Sequence, residues 1–180
     1  EEFREGLFLH YDKLWSLVNL RNDLQHYQEG LFIWDIPTFN ERVVREAVLN
    51  AVCHRDYRTS GSIFVRQFPQ KLEVVSPGGW PEGVSAETVL YRQNPRNRRL
   101  AEALSRCGLV ERAGQGYDEI FTQCIKESKA LPDFTNTDDY QVSVTLRGLV
   151  QDPAFLRFLS KVGVDRQRSF GVADFLLLDC

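Results

Sequence analysis

The residues between Thr38 and Gly61 constrain the fold most strongly, because they predict one uninterrupted helix near the start of the chain. No glycine or proline breaks this stretch, whose core spans residues 46–57. Thr38 is followed three residues later by Glu41, which is the spacing of a capping box. Small apolar side chains recur at helical spacing and predict a packing face: Val44, Ala47, Val48, Ala51 and Val52.

A different face of this predicted helix displays Glu46 and Asn50, which are four residues apart and therefore lie one turn from each other. A carboxylate can accept a proton from water, and an amide oxygen is a hard ligand that suits Mg²⁺. The pair therefore suggests a site that handles water and a metal ion. A surface helix with a charged face explains the same two residues, and the stretch alone leaves both interpretations open.

Composition limits the class of protein. A chain of 180 residues with 43% hydrophobic residues suits one domain, or one domain and a fragment of another. The net charge of −3 and a pI near 5.7 argue against a dedicated nucleic-acid binder. No apolar run is long enough to cross a membrane and no signal peptide is visible, so we expect no membrane partner and a cytoplasmic location.

The four cysteines are far apart and lack the close pairs of a zinc site, so we expect reduced thiols: Cys53, Cys107, Cys124 and Cys180. The chain contains no methionine and begins in the middle of a pattern. We therefore expect it to be an excised part of a longer protein.

Periodic patterns predict the remaining elements. Strict alternation over residues 140–146 predicts a strand with Tyr140, Val142, Val144 and Leu146 facing inward. Three more strands are predicted, two of them joined by a hairpin: 31–34, 63–68 and 72–75. Helices are predicted at 9–22, 85–91, 100–107 and 117–129. We expect a two-layer α/β sandwich, in which a mixed β-sheet is covered by helices on one face.

The character of the sequence changes after Gly148. Residues 152–162 predict a helix that begins Asp-Pro, and residues 172–178 form an apolar run. We expect residues 1–148 to form one domain, and residues 149–180 to form a linker with the truncated helical start of a second module.

Two glycine-bearing turns are candidate ligand sites, because glycine lets a backbone approach a ligand closely. One turn holds Gly78 and Gly79 after Pro77; the other holds Gly114 and Gly116 and opens a predicted helix, whose free amides suit phosphate. An ordinary loop and an ordinary strand–helix turn explain the same residues. The chain has no P-loop and no Gly-x-Ser-x-Gly nucleophile elbow.

Taken in order, four segments resemble a known family: residues 46–57, 74–84, 96–104 and 108–117. They are similar to the GHKL-type (Bergerat) ATPase domain in the C-terminal half of proteins called RecG-like helicases or transcriptional regulators. In such proteins the domain follows a Schlafen-type AlbA-like domain and precedes a winged helix. The resemblance covers roughly residues 10–147 and implies a domain that binds ATP and Mg²⁺, with weak ATP hydrolysis as a further expectation.

The resemblance implies a role for each matching residue. Glu46 corresponds to the acid that activates the attacking water, and Asn50 to the amide that holds Mg²⁺. Gly78 and Gly79 correspond to the glycine motif that lines the adenine pocket. The phosphate-side turn of the family corresponds to Gly114 and Gly116.

Two departures from the family pattern support an alternative. Ser76 stands where active enzymes carry the aspartate that binds the adenine amino group, and Cys53 stands where an acidic residue is common. The alternative is a degenerate scaffold that serves dimerisation and positions DNA-binding modules. In either case we expect DNA contacts through flanking modules rather than through this domain, and a homodimer is compatible with both.

A cluster of arginines lies just before the third matching segment and at its start: Arg92, Arg96, Arg98 and Arg99. Such a cluster could contact phosphate, either of ATP or of DNA. A solvated helix face is the simpler explanation of the same residues.

Overall fold

The computed structural model describes residues 1–3, 7–29, 32–92, 94–109 and 116–166, and the predicted α/β fold is confirmed. Helices and strands are interspersed along the chain, and two small sheets are formed. The described elements are α1 (Leu7–Asn19), β1 (Leu24–Glu29), β2 (Phe32–Pro37), α2 (Glu41–His54), β3 (Phe64–Gln67), β4 (Lys71–Pro77), α3 (Arg98–Arg106), α4 (Gly116–Lys126), β5 (Gln141–Arg147) and α5 (Pro153–Arg166).

The larger sheet consists of β3, β4 and β5, with β4 in the middle. Its register places Val65, Val74 and Val144 side by side, and Leu72 beside Leu146. These side chains form an apolar face that shares one hydrophobic core with α1, α2 and α4. The sheet therefore supplies one wall of the core, and the helices supply the other.

Two details of the predicted sheet are corrected. Every strand pairing in the described residues is antiparallel, whereas we expected a mixed sheet. The predicted strand at 31–34 lies in β2, which pairs with β1 in a separate hairpin, and Leu31 is outside the described residues. Only two residues separate β1 from β2, and such a short connection permits only an antiparallel pair. The sequence of β1 is mainly polar, so its pattern gave no strand signal.

Helix α2 forms as predicted over most of its length, but both of its ends differ. The cap is Asn40, whose side-chain oxygen accepts a hydrogen bond from the amide of Arg42. The hydroxyl of Thr38 instead donates to the carbonyl of Asp23, so it cannot cap the helix. The helix ends at His54 rather than continuing to Tyr57. Most of the predicted apolar face is buried, namely Val44, Ala47, Val48 and Ala51, and Val52 is half-buried.

Hydrogen bonds and an ion pair connect the residues that follow α4 to the residues that precede α2. The buried ammonium group of Lys129 donates to the carbonyl oxygens of Pro37 and Thr38 at 2.6 and 3.0 Å. It also pairs with Glu127, which in turn accepts a hydrogen bond from the Asn40 side chain. A buried charge is tolerated only when it is paired and hydrogen-bonded in this way. These contacts hold the two helices side by side and antiparallel.

Strand β5 forms as predicted and buries Val144 and Leu146, but the polar residues that alternate with them are buried as well. Tyr140 lies outside the strand and is 84% exposed, whereas Ser143 and Thr145 are buried. The cause is the segment at 133–137, which runs along the second edge of β5. Thr145 exchanges backbone hydrogen bonds with Asp133, and the backbone of Ser143 bonds the hydroxyl of Thr137. The buried polar residues of β5 are therefore the ones with which this segment pairs.

Helix α3 ends where the sequence predicts. Gly108 adopts a left-handed φ of +70°, and its amide donates to the carbonyl of Ser105. The next amide, of Leu109, donates to the carbonyl of Leu104, which completes a Schellman motif. The predicted helix at 85–91 is wrong: hydrogen bonds from Thr88 and Tyr91 close successive turns there instead.

Helix α5 begins one residue after the predicted start, with the Asp152 carboxylate accepting a hydrogen bond from the amide of Ala154. The predicted apolar run at 172–178 lies outside the described residues. No helix in the described part of the chain combines the length and the apolar character needed to cross a lipid bilayer.

Candidate functional site

A mainly apolar cavity of about 340 Å³ lies between α2, the sheet and the chain that follows β4. We call it the central cavity, and we call residues 80–92 and 94–98, which close one side of it, the covering segment. Sites for small molecules typically have volumes of roughly 300–1,000 Å³, so this cavity is large enough for a nucleotide-sized ligand to enter in part or in whole. Four residues of the predicted site line it: Asn50, Ser76, Gly78 and Gly116.

The first residue of α4 brings three predicted site residues together. A Cβ atom added at Gly116 would lie 2.8 Å from Asn50 Nδ2, 2.9 Å from Asn50 Oδ1 and 3.1 Å from Glu46 Oε2. Only glycine allows so close an approach without displacing a neighbour. The start of α4 therefore contacts the polar face of α2, and the helix amides at this end carry positive partial charge.

Glu46 lies beneath the cavity wall rather than on it, because its side chain is almost fully buried. Its Oε1 lies 3.6 Å from the guanidinium of Arg45, and its other oxygen faces Gly116. Burial, together with the nearby negative charge of Glu46, raises the pKa of the Cys53 thiol to about 11. This raised pKa keeps the Cys53 thiol uncharged at neutral pH. Cys53 also lines the cavity.

The side-chain amide of Asn50 is an unsatisfied polar group within the described residues. Its Nδ2 is buried and has no hydrogen-bond partner. Leaving a buried donor unsatisfied costs roughly 1–3 kcal/mol, so a ligand that bonds this amide gains accordingly. The described residues contain no cluster of three or more His, Cys, Asp and Glu side chains that could hold a metal. An ion bound here would take most of its ligands from water and phosphate, as Mg²⁺ commonly does.

Ser76 lies at the cavity wall on β4. Its buried hydroxyl donates to the carbonyl of Ala51 in α2 at 2.8 Å. The proton of this hydroxyl is therefore used within the protein, while its oxygen lone pairs can still accept a hydrogen bond from a ligand.

The two glycines that follow Ser76 and Pro77 occupy different places. Gly78 lines both the central cavity and a neighbouring open cleft of about 560 Å³, whereas Gly79 lines the cleft alone. A Cβ atom at Gly79 would lie 2.8 Å from the carbonyls of Asp138 and Asp139, so this glycine packs against backbone. Gly114, the other glycine of the predicted phosphate-side turn, lies outside the described residues.

Gly78→Ala is expected to destabilise the fold by about 1–3 kcal/mol. The residue has a left-handed φ of +94°, and a Cβ atom would overlap Arg96 Nη1 and would lie 2.6 Å from Asp56 Cβ. Gly108→Ala is a matched control, because its φ of +70° is also left-handed but no atom lies within 4 Å. Chemical denaturation should show a larger loss of unfolding free energy for Gly78→Ala than for Gly108→Ala. Equal losses would mean that the neighbours of Gly78 move aside without an energetic cost.

Sequence reasoning missed the aromatic part of the cavity wall. Trp80 and Tyr117 both line the cavity, and each packs against Phe134, at ring-centroid distances of 5.3 and 5.7 Å. Burial raises the pKa of Tyr117, so its hydroxyl remains protonated. Trp80 adjoins the Pro-Gly-Gly turn and Tyr117 adjoins Gly116, so proximity to the glycine turns was the available signal.

The four clustered arginines separate into different environments. Arg96 Nη2 donates to the carbonyl of Gly79 at 2.8 Å, and Nη1 lies 4.0 Å from the Asp56 carboxylate. Arg92, Arg98 and Arg99 are all exposed, and of these three only Arg92 and Arg98 line the central cavity. Burial, followed by the charge of Arg96, lowers the pKa of the cavity-lining His54, which is therefore neutral at pH 7.

The chain is similar to a protein family and to a solved crystal structure. Residues 61–146 match the family described as "Putative ATP-dependent DNA helicase recG C-terminal". The matched range contains Ser76 and the glycine turns, and α2 lies before it. The chain is similar to the DIP2311 protein from Corynebacterium diphtheriae, a crystal structure, with 28% sequence identity and a TM-score of 0.81 over 98% of this chain. It spans 40% of that protein's chain. No curated protein gave a sequence match.

Proposed function

We propose that this domain binds ATP together with Mg²⁺ in the central cavity. The observation that carries the proposal is the close meeting of Gly116 with Asn50 and Glu46, three residues from two helices that are distant in sequence. Helix amides, a side-chain amide and a carboxylate converge there beside a cavity of suitable size. The match of residues 61–146 to a RecG C-terminal ATPase-like family supports the same assignment.

The proposed orientation follows from the chemistry of the cavity walls. Val74, Val142 and Val144 from the sheet, with Trp80 from the covering segment, form an apolar end that suits a purine base. Ser76 accepts a hydrogen bond from the base at this end. The phosphates extend toward Asn50 and the first turn of α4, because the amides of a helix N-terminus favour negative charge.

The residues present fit a bound magnesium ion. The side chain of Asn50 would supply one oxygen ligand, and the phosphates and water would supply the remainder. Such an ion, when bound, would neutralise charge on the phosphates. Glu46 would accept the proton of the attacking water as a general base through Oε2, the oxygen that faces the cavity-lining Gly116. Its burial beneath the cavity keeps the carboxylate fixed in place.

The role in the whole protein is part of the same proposal. We place the boundary of the ATP-binding domain at residue 148, with residues 149–180 as a linker and the start of a winged-helix-like module. The domain would act within a DNA-linked regulator or a RecG-like protein, where flanking modules contact DNA and two copies pair. Nucleotide binding would then change how those modules are positioned.

A degenerate scaffold is the second candidate, and the geometry at Ser76 favours it. The hydroxyl proton of this residue is held by Ala51, and a neutral oxygen binds an adenine amino group more weakly than a carboxylate does. The scaffold would keep the fold and the dimer without the nucleotide. A nucleotide that remains bound through purification would exclude this candidate.

Gly116→Ala is expected to weaken ATP binding by about tenfold or more. The added methyl group must displace Asn50 or Glu46, since it would lie 2.8 Å and 3.1 Å from their side chains. Alanine is otherwise the better helix former, so a loss of affinity would report on the contact rather than on the helix. Isothermal titration with ATP should show a loss of affinity in Gly116→Ala and unchanged affinity in Gly108→Ala. Unchanged affinity in a folded Gly116→Ala protein would refute the assigned role of this glycine.

A further inference from the structure

Two arginines of the central cavity have no charge partner among the described residues. Arg92 and Arg98 both line the cavity, and neither makes an ion pair or a side-chain hydrogen bond within the described residues. Arg96 differs from them, because it bonds the Gly79 carbonyl and lies beside Asp56. Two guanidinium groups at a cavity wall therefore remain available for an anionic ligand.

The backbone that carries Arg98 is fixed against α2. The side-chain amide of Asn97 donates to the carbonyls of Cys53 and Arg55 at 2.9 and 2.7 Å, which lie at the C-terminal end of α2. Arg98 is the next residue and begins α3. This anchor fixes the backbone at the base of Arg98 beside the cavity.

The guanidinium group of Arg92 lies against the turn at Gly83. Its Nη1 would lie 2.7 Å from a Cβ atom added there, so the guanidinium packs directly over this glycine. Gly83 has a left-handed φ of +75°, which favours glycine independently of the packing. The turn therefore leaves room for the arginine at the cavity.

Glu102 is the sole carboxylate among the described residues that line the cavity. It lies one helical turn after Arg98 on α3, yet the two side chains do not form an ion pair within 4.0 Å. The lining thus holds two arginines and one glutamate, and the covering segment contributes both positive charges.

We propose that Arg92 and Arg98 form a clamp that binds the phosphate groups of the nucleotide from the side of the covering segment. The proposal rests on the proposed function and adds a ligand preference to it. Guanidinium groups bind phosphate through paired, charge-assisted hydrogen bonds. The site therefore discriminates by phosphate number, with affinity decreasing from ATP to ADP to AMP and adenosine.

The test measures the affinities of ATP and adenosine for the intact chain by competition against a fluorescent ATP analogue. Arg92→Ala and Arg98→Ala should each weaken ATP binding by about tenfold, and adenosine binding should stay unchanged. Arg99→Ala is the matched control, because Arg99 neighbours Arg98 but does not line the cavity. Glu102→Gln should change ATP affinity in the opposite direction, by a few-fold, since it removes the carboxylate near the clamp.

Three outcomes would overturn the clamp. Wild-type protein that binds ATP, with Arg92→Ala and Arg98→Ala binding it equally well, would remove the clamp and leave the proposed function intact. Equal losses for ATP and adenosine would mean that the arginines shape the cavity rather than bind phosphate. A loss of DNA binding in Arg98→Ala with ATP affinity unchanged would assign the cluster to DNA. Wild-type protein that binds no nucleotide would refute the proposed function itself.

Discussion

Replacing Glu46 with glutamine is expected to abolish ATP turnover while ATP affinity stays nearly unchanged. Glutamine keeps the size of the side chain and an acceptor oxygen, but it cannot take a proton from water. General-base catalysis is typically worth about 10²–10⁴-fold in rate, so the loss should exceed the scatter of a steady-state assay. Phosphate release measures turnover, and isothermal titration with ATP and Mg²⁺ measures affinity on the same preparation.

Glu41→Gln is the matched control for this substitution. Glu41 lies on the same helix, in its first turn, and is exposed, so its loss should leave turnover unchanged. The thermal unfolding of both variants must be measured as well, because Glu46 is buried beside Arg45 and a neutral side chain changes that pairing. Full turnover in a folded Glu46→Gln protein would exclude Glu46 as the base.

Asn50→Ala is expected to remove the dependence of ATP binding on Mg²⁺. The change deletes a ligand of the ion rather than a base, and we expect the affinity measured with Mg²⁺ to fall by about 10–100-fold, or roughly 1.4–2.8 kcal/mol. Titrations with ATP should be compared in the presence of Mg²⁺ and of a chelator. Wild-type protein should bind more tightly with Mg²⁺, and Asn50→Ala should bind equally weakly in both conditions.

The two substitutions lie one helical turn apart, so different phenotypes would support different roles. Glu46→Gln should affect turnover, and Asn50→Ala should affect binding. If both variants stay folded and retain wild-type affinity and turnover, α2 is a structural helix. In that case the buried contacts of Glu46 and Asn50 with Gly116 serve packing alone.

Local patterns in the sequence predicted the elements that bury their own apolar residues. Helix α2 and strand β4 followed from spacing, and Gly108 followed from its place after a helical pattern. Strand β1 was missed because a two-stranded hairpin outside the core need not alternate. Tyr140 was misplaced because the buried polar side chains of β5 depend on the segment at 133–137, which no pattern within the strand reveals.

The residues of the candidate site were predicted in part, first from the spacing of Glu46 and Asn50 and then from the resemblance to a family. Spacing placed Glu46 and Asn50 on one side of a helix, but it contained no information about Gly116, which meets them from α4. Arg98 was noticed only as part of a charged cluster. Its place in the cavity depends on Asn97, which ties the covering segment to α2 through tertiary hydrogen bonds.

The most direct test of the central claim is an isothermal titration of the wild-type chain with ATP in the presence of Mg²⁺. We expect saturable binding at one site per chain, competed by ADP more strongly than by AMP. A protein that is folded by circular dichroism and gives no heat of binding at millimolar ATP would contradict the claim that the central cavity is a nucleotide site.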